Sequence, residues 1–125
     1  MKKIQIIRIE HFDGYGLFRT QDGFNYYRDH NVVNILPELS KRHYNFNSPS
    51  EDKLEIFKDN KEWFCAYKSI DQLQQWILKS EFQTLFDNDY MVLLIECTMY
   101  QIGRDQIIYT KESIKSCKDI SELFQ

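Results

Sequence analysis

Residues 63–77 read WFCAYKSIDQLQQWI, and this stretch passes from one kind of structure to another within fifteen residues. The run Glu62–Tyr67 is apolar and aromatic and reads as a buried strand. Ser69 then opens a helix, with Gln72 three residues on, the spacing of an S-x-x-Q capping box. Ile70, Leu73, Trp76 and Ile77 fall on one helical face at steps of three and four. Phe82, Leu85 and Phe86 continue the pattern as a further turn or a second short helix. Asp87-Asn88-Asp89 ends it, because these side chains compete for backbone bonds in turns. The expectation is one main amphipathic helix at about 69–80, packed on a sheet.

Working outward, YMVLLIECTMY (residues 90–100) is the strongest strand, and its near-continuous apolar character predicts a central position covered on both faces. A turn at Gly103 and the run QIIYT suggest a hairpin partner. KESIKSCKDISELF reads either as an edge strand with a terminal helical turn or as a C-terminal helix. At the other end, KKIQIIRIEH is rich in β-branched residues and predicts a strand, with Gly14 and Gly16 marking a turn or bulge after it. Asp22-Gly23 suggests a hairpin. Residues 28–62 hold both prolines and several asparagines. A short helix or irregular segment near 32–42 and a short helix over SEDKLEIF, capped by Ser50, are the expectations there. A long excursion of this kind often carries function. Together these elements predict a single α+β domain over 1–125, with a mostly antiparallel sheet, split in two or continuous, and short extra helices.

Composition narrows the function classes. The chain has 125 residues, 15% of them aromatic, which allows a substantial core. The net charge of −3 is mild and mixed in sign, which argues against general nucleic-acid binding and against an acidic DNA mimic. No apolar run approaches the roughly 20 residues of a membrane span, and the first residues do not read as a signal peptide. A cytoplasmic location is the expectation. Cys65, Cys97 and Cys117 are widely spaced, and Cys65 and Cys97 lie in apolar runs, so buried reduced thiols are expected.

Few constellations point to chemistry. His11, His30 and His43 share no ligand spacing, which gives no metal centre. There is no nucleophile elbow, and Gly14-Tyr15-Gly16 is neither a P-loop nor a dinucleotide fingerprint. Arg8 stands mid-strand on the face of Ile4 and Ile6. It reads either as an edge arginine snorkelling to solvent or as an inward arginine that grips an anion. Tyr26, Tyr27, Arg28 and His30, with Lys41, Arg42, His43, Tyr44 and Phe46, mix basic and aromatic groups. These suit either a nucleotide-stacking loop or a solvated loop pinned by aromatics. Gln106 heads a hairpin strand beside Arg104 and Asp105.

Three patches carry a resemblance: Ile7-Arg8-Ile9-Glu10 with Gly14 and Gly16, Phe64-Cys65-Ala66-Tyr67-Lys68-Ser69 through Trp76, and Gln106-Ile107-Ile108-Tyr109. Their order resembles an ADP-ribosyltransferase-like fold, and it is also similar to small proteins of phages and mobile elements. The resemblance implies Arg8, Tyr67, Lys68, Ser69, Arg104 and Gln106 as ligand-binding residues. It implies NAD or an NAD-derived nucleotide as the ligand rather than a resident cofactor. Gln106 stands where transferases of that type keep a glutamate, and a neutral amide supplies no charge to an oxocarbenium-like transition state. Glu112 serves only if the register differs. The implied function is therefore a non-enzymatic phage protein that captures a nucleotide-like ligand or blocks a host defence protein. The alternative is an ADP-ribosyltransferase-type enzyme acting with NAD. The sequence leaves open a homo-oligomer and gives no sign of a membrane partner.

Overall fold

Continuous burial along the two longest strands decides the architecture: Ile6, Ile7, Arg8 and Ile9 are all buried in the first, and Val92, Leu93 and Ile95 in the second. In the computed structural model, which describes residues 2–14, 16–17, 35–43 and 52–125, strand β1 spans Ile4–His11. It pairs antiparallel with β3 (Tyr90–Cys97), in register from Ile4 opposite Cys97 to His11 opposite Tyr90. The outer strand β6 (Ile114–Asp119) pairs with the other side of β3, with a register shift at Glu96/Cys97. The three form a sheet of order β1-β3-β6. A second antiparallel sheet has the order β2-β5-β4, from Phe64–Ala66, Ile107–Tyr109 and Tyr100–Ile102. The sheets meet at one bridge, where Ile7 N donates to Tyr67 O at 3.0 Å and Tyr67 N to Ile7 O at 2.7 Å. The expected split antiparallel sheet of an α+β domain is present.

In the first sheet β1 and β3 are covered on both faces, whereas the edge strand β6 is mostly exposed. On one, Ile7, Ile9 and Val92 pack with Leu73, Ile77, Phe82, Leu85 and Phe124 from the helical segments. On the other, Ile6, Leu93, Ile95 and Cys97 pack with Phe64, Ala66, Ile107 and Tyr109 of the second sheet. This double cover is why β3 reads as a near-continuous apolar run. Beyond the second sheet, Ile108 packs with Trp63 and Leu54. Among the described residues no helix is long and apolar enough to cross a membrane.

The helices are α1 (Pro37–His43), α2 (Ile70–Trp76) and α3 (Lys79–Asp87). Ser69 caps α2, its hydroxyl accepting from Gln72 N at 3.1 Å. The reciprocal bond is moved back one residue, since Gln72 Oε1 accepts from Lys68 N at 2.7 Å. The single helix expected at about 69–80 is two helices, because Ile77 and Leu78 are extended, with ψ of 123° and 150°. Arg42 holds this break. It donates to Trp76 O at 2.5 Å and grips Glu81 with both terminal nitrogens, at 2.8 and 3.0 Å. Glu81 in turn accepts from Leu78 N at 2.8 Å.

Other expectations change in detail. Residues 90–100 form β3 and β4 in different sheets, so QIIYT is the hairpin partner of β4 alone. Residues 52–57 are turns and coil rather than a helix, followed by a 3-10 turn over Lys58–Asn60. Ser50, Asp22 and Gly23 lie outside the described residues, as do Tyr26, Tyr27, Arg28, His30, Tyr44 and Phe46. The C-terminal segment takes the edge-strand alternative, closed by a 3-10 turn over Ser121–Phe124. Cys97 is buried, whereas Cys65 and Cys117 are exposed. In β2 the period of two turns Phe64 and Ala66 inward and Cys65 outward.

Candidate functional site

Arg8 leaves β1 toward the second sheet and is only 4% exposed. Its Nε donates to Glu10 Oε1 at 2.8 Å and its Nη1 to Cys65 O at 2.6 Å. The guanidinium carbon lies 5.2 Å from the Phe64 ring centre and 5.9 Å from that of Tyr109. Lys111 joins the cluster, with Nζ 2.9 Å from Glu10 Oε1 and 4.6 Å from the Phe64 ring centre. Its ammonium also donates to Gly14 O. Gly14 has φ of +96°, a region that favours glycine, and a Cβ there would lie 3.2 Å from that ammonium. Two cations thus share one carboxylate between the sheets, against two aromatic faces. The Tyr109 hydroxyl is buried with no hydrogen-bond partner among the described residues. Burial pushes its pKa up, and Arg8 partly offsets the rise. Arg8 is the inward arginine of the two sequence readings, but its donors go to acceptors within the protein.

Lys68, Ser69, Arg104 and Gln106 gather elsewhere. Lys68 Nζ donates to Arg104 O at 2.7 Å, and Gln72 Nε2 to Asp105 O at 2.5 Å. These bonds tie the start of α2 to the β4–β5 hairpin loop. Gln106 is 2% exposed, and its carbonyl accepts from Gly103 N at 2.8 Å. It precedes Ile107, so strand alternation puts its side chain with Ile108 on the face away from Tyr109 and Arg8. Tyr67 stands between the two clusters at the bridge joining the sheets, buried, with burial pushing its phenol pKa up. Glu112 is 63% exposed and pairs with Lys61. Of the six residues singled out from sequence, four therefore gather at the start of α2 and the hairpin loop, Arg8 lies in the other cluster, and Tyr67 stands at the bridge between them. Among the described residues no group of three or more His, Cys, Asp or Glu is placed to hold a metal ion.

A third feature, unread from the sequence, is the segment 52–60 that straps the outer face of the second sheet, where Leu54 packs with Ile108. Asp52 accepts from Arg104 N at 2.8 Å and Asp105 N at 2.9 Å. The Gln101 amide clamps Glu55, accepting from its N at 2.8 Å and donating to its O at 3.1 Å. Trp63 Nε1 donates to Lys58 O at 3.0 Å. Lys53, Asp59 and Asn60 all hold positive φ, at 62°, 57° and 58°. Such backbone costs free energy and concentrates at functional sites. Between these points Phe57 stands 84% exposed, with Ile102 of β4 61% exposed. Leu54, Ile56 and Phe57 line a shallow surface hollow with Glu55 and Lys58. The sequence signal was only the long excursion before residue 63, and the contacts lie some fifty residues downstream.

Comparison with known proteins adds one finding. No curated protein and no solved structure matches the chain. A family model described as "Bacteriophage T4 Y00F protein" matches residues 1–122, nearly the whole chain, and the protein belongs to that phage family.

Proposed function

We propose that this phage-family protein is a non-enzymatic binding protein that docks on a host protein in the bacterial cytoplasm through its 52–60 strap, with Phe57 as the anchor. The observation that carries the reading is the display of Phe57. A phenyl ring 84% exposed costs hydration free energy. Here it sits on a backbone flanked by positive-φ residues and pinned by Gln101 and Trp63. Aromatic anchors held rigidly in advance are what protein interfaces use, because little ordering entropy remains to be lost. The fitting partner has an apolar pocket with a mixed-charge rim, matching Glu55 and Lys58 beside the ring. The test is affinity capture from host cells with wild-type and Phe57→Asp baits of equal thermal stability. Loss of a captured protein with the variant is expected, and an identical catch with both baits refutes the reading.

A second reading, capture of an NAD-derived nucleotide, is favoured by one observation: Arg8 and Lys111 face a single carboxylate between the sheets. Against it, both cations already have internal partners. A thermal-shift panel of NAD, ADP-ribose and cyclic nucleotides separates the readings, since a saturable shift supports capture and a flat response removes it. The transferase alternative has the least support. Glu112 is paired with Lys61 at the surface, and Gln106 is separated from Arg8 by the second sheet. Release of nicotinamide from NAD, abolished in Glu112→Gln, would establish it.

A further inference from the structure

We propose that the β4–β5 hairpin loop is an oxyanion-binding site, occupied in this structure by the protein's own Asp52 and open to a phosphate or carboxylate group once Asp52 leaves. Two consecutive backbone N–H groups, of Arg104 and Asp105, each donate to a different oxygen of one carboxylate, at 2.8 and 2.9 Å. Converging main-chain N–H groups in a turn form an anion-binding concavity. The third wall is Gly103, where a Cβ would lie 2.1 Å from Asp52 Oδ2, so the missing side chain makes room for the anion. Lys68 brings its ammonium to the Arg104 carbonyl. The Arg104 guanidinium is largely exposed and has Asp105 at 3.5 Å as its ion-pair partner. Asp105 adds a carboxylate at the loop that partly offsets the positive charge of Lys68 and Arg104.

The occupant belongs to the strap rather than to the hairpin. Asp52 comes from a segment about fifty residues earlier in the chain, so its release breaks no bond of the β4–β5 ladder. Gln72 keeps the loop in shape from the other side through Asp105 O. The hairpin thus retains its donors when Asp52 lets go, while Gln101 and Trp63 still hold Glu55 and Lys58. The inference does not depend on Phe57 or on a host partner.

Titration of inorganic phosphate and of acetate into full-length wild type and Asp52→Ala, followed by amide NMR, tests the assignment. The expected result is saturable shifts at Arg104 and Asp105 in the variant, with an affinity at least tenfold above wild type. Tighter binding of phosphate than acetate would identify a phosphate-bearing ligand, and the reverse a carboxylate. Adding Gly103→Ala to Asp52→Ala should abolish the response. Asp52→Asn, which keeps one acceptor and removes the charge, gives a milder opening if the alanine variant unfolds. Unresponsive 103–105 amides in the folded variant, or equal binding by wild type and variant, would overturn the proposal.

Discussion

Removing Glu10 should damage the protein more than removing Arg8, although the two are bonded to each other. Glu10 Oε1 lies 2.8 Å from Arg8 Nε and 2.9 Å from Lys111 Nζ, so it is the carboxylate that both cations share. In Arg8→Met the stem is replaced by a chain of similar length, Glu10 keeps Lys111, and the chief loss is the bond to Cys65 O. A charge-assisted bond contributes about 1.5–3 kcal/mol net, which sets the expected cost near 2 kcal/mol. Glu10→Gln leaves Arg8, 4% exposed, beside a second cation with no carboxylate between them. Leaving one buried charge unpaired costs about 3–5 kcal/mol, and the repulsion places this case near 4. The double variant removes the stranded charge and should be more stable than Glu10→Gln alone. Urea unfolding followed by the fluorescence of buried Trp63 measures all four proteins. At a slope of about 2 kcal/mol/M, Glu10→Gln should lower the midpoint by about 2 M and Arg8→Met by about 1 M. If Arg8→Met costs as much as Glu10→Gln, or if the two costs simply add, the shared-carboxylate reasoning is wrong.

Two further outcomes follow from local geometry. Ser69→Ala removes the bond to Gln72 N and should cost about 1 kcal/mol, measured by the same unfolding curves. The Cys97 thiol is pushed up from 9.0 to about 11 by burial, so its contribution is fully present below pH 9 and fades as pH rises through 11. Linkage gives a loss of about 1.3 kcal/mol by pH 10. Comparing pH 8 with pH 10, wild type should lose this much more than Cys97→Ala, and equal losses would refute the assignment.

The parts legible in the sequence are those fixed by neighbours along the chain. The central position of β3 followed from its apolar run, and the Ser69 cap from a residue three positions away. The break at Ile77–Leu78 was hidden because Ile77 still fits the helical stripe. What sets the break is Arg42, which binds Trp76 O and Glu81 from more than thirty residues upstream. Arg8 showed the same division: alternation placed it on the face of Ile6, yet only the second sheet decides that its donors are used internally. The Asp52 contact and the display of Phe57 carry no local pattern, since both depend on where β4 runs.

Phe57 as the anchor for a protein partner can be tested at the level of a single binding constant. Its most direct test is the binding isotherm of the captured host protein against purified wild type and Phe57→Asp. The variant should bind at least tenfold more weakly with unchanged thermal stability, as expected for a central aromatic anchor. Equal affinity for the two proteins would contradict it.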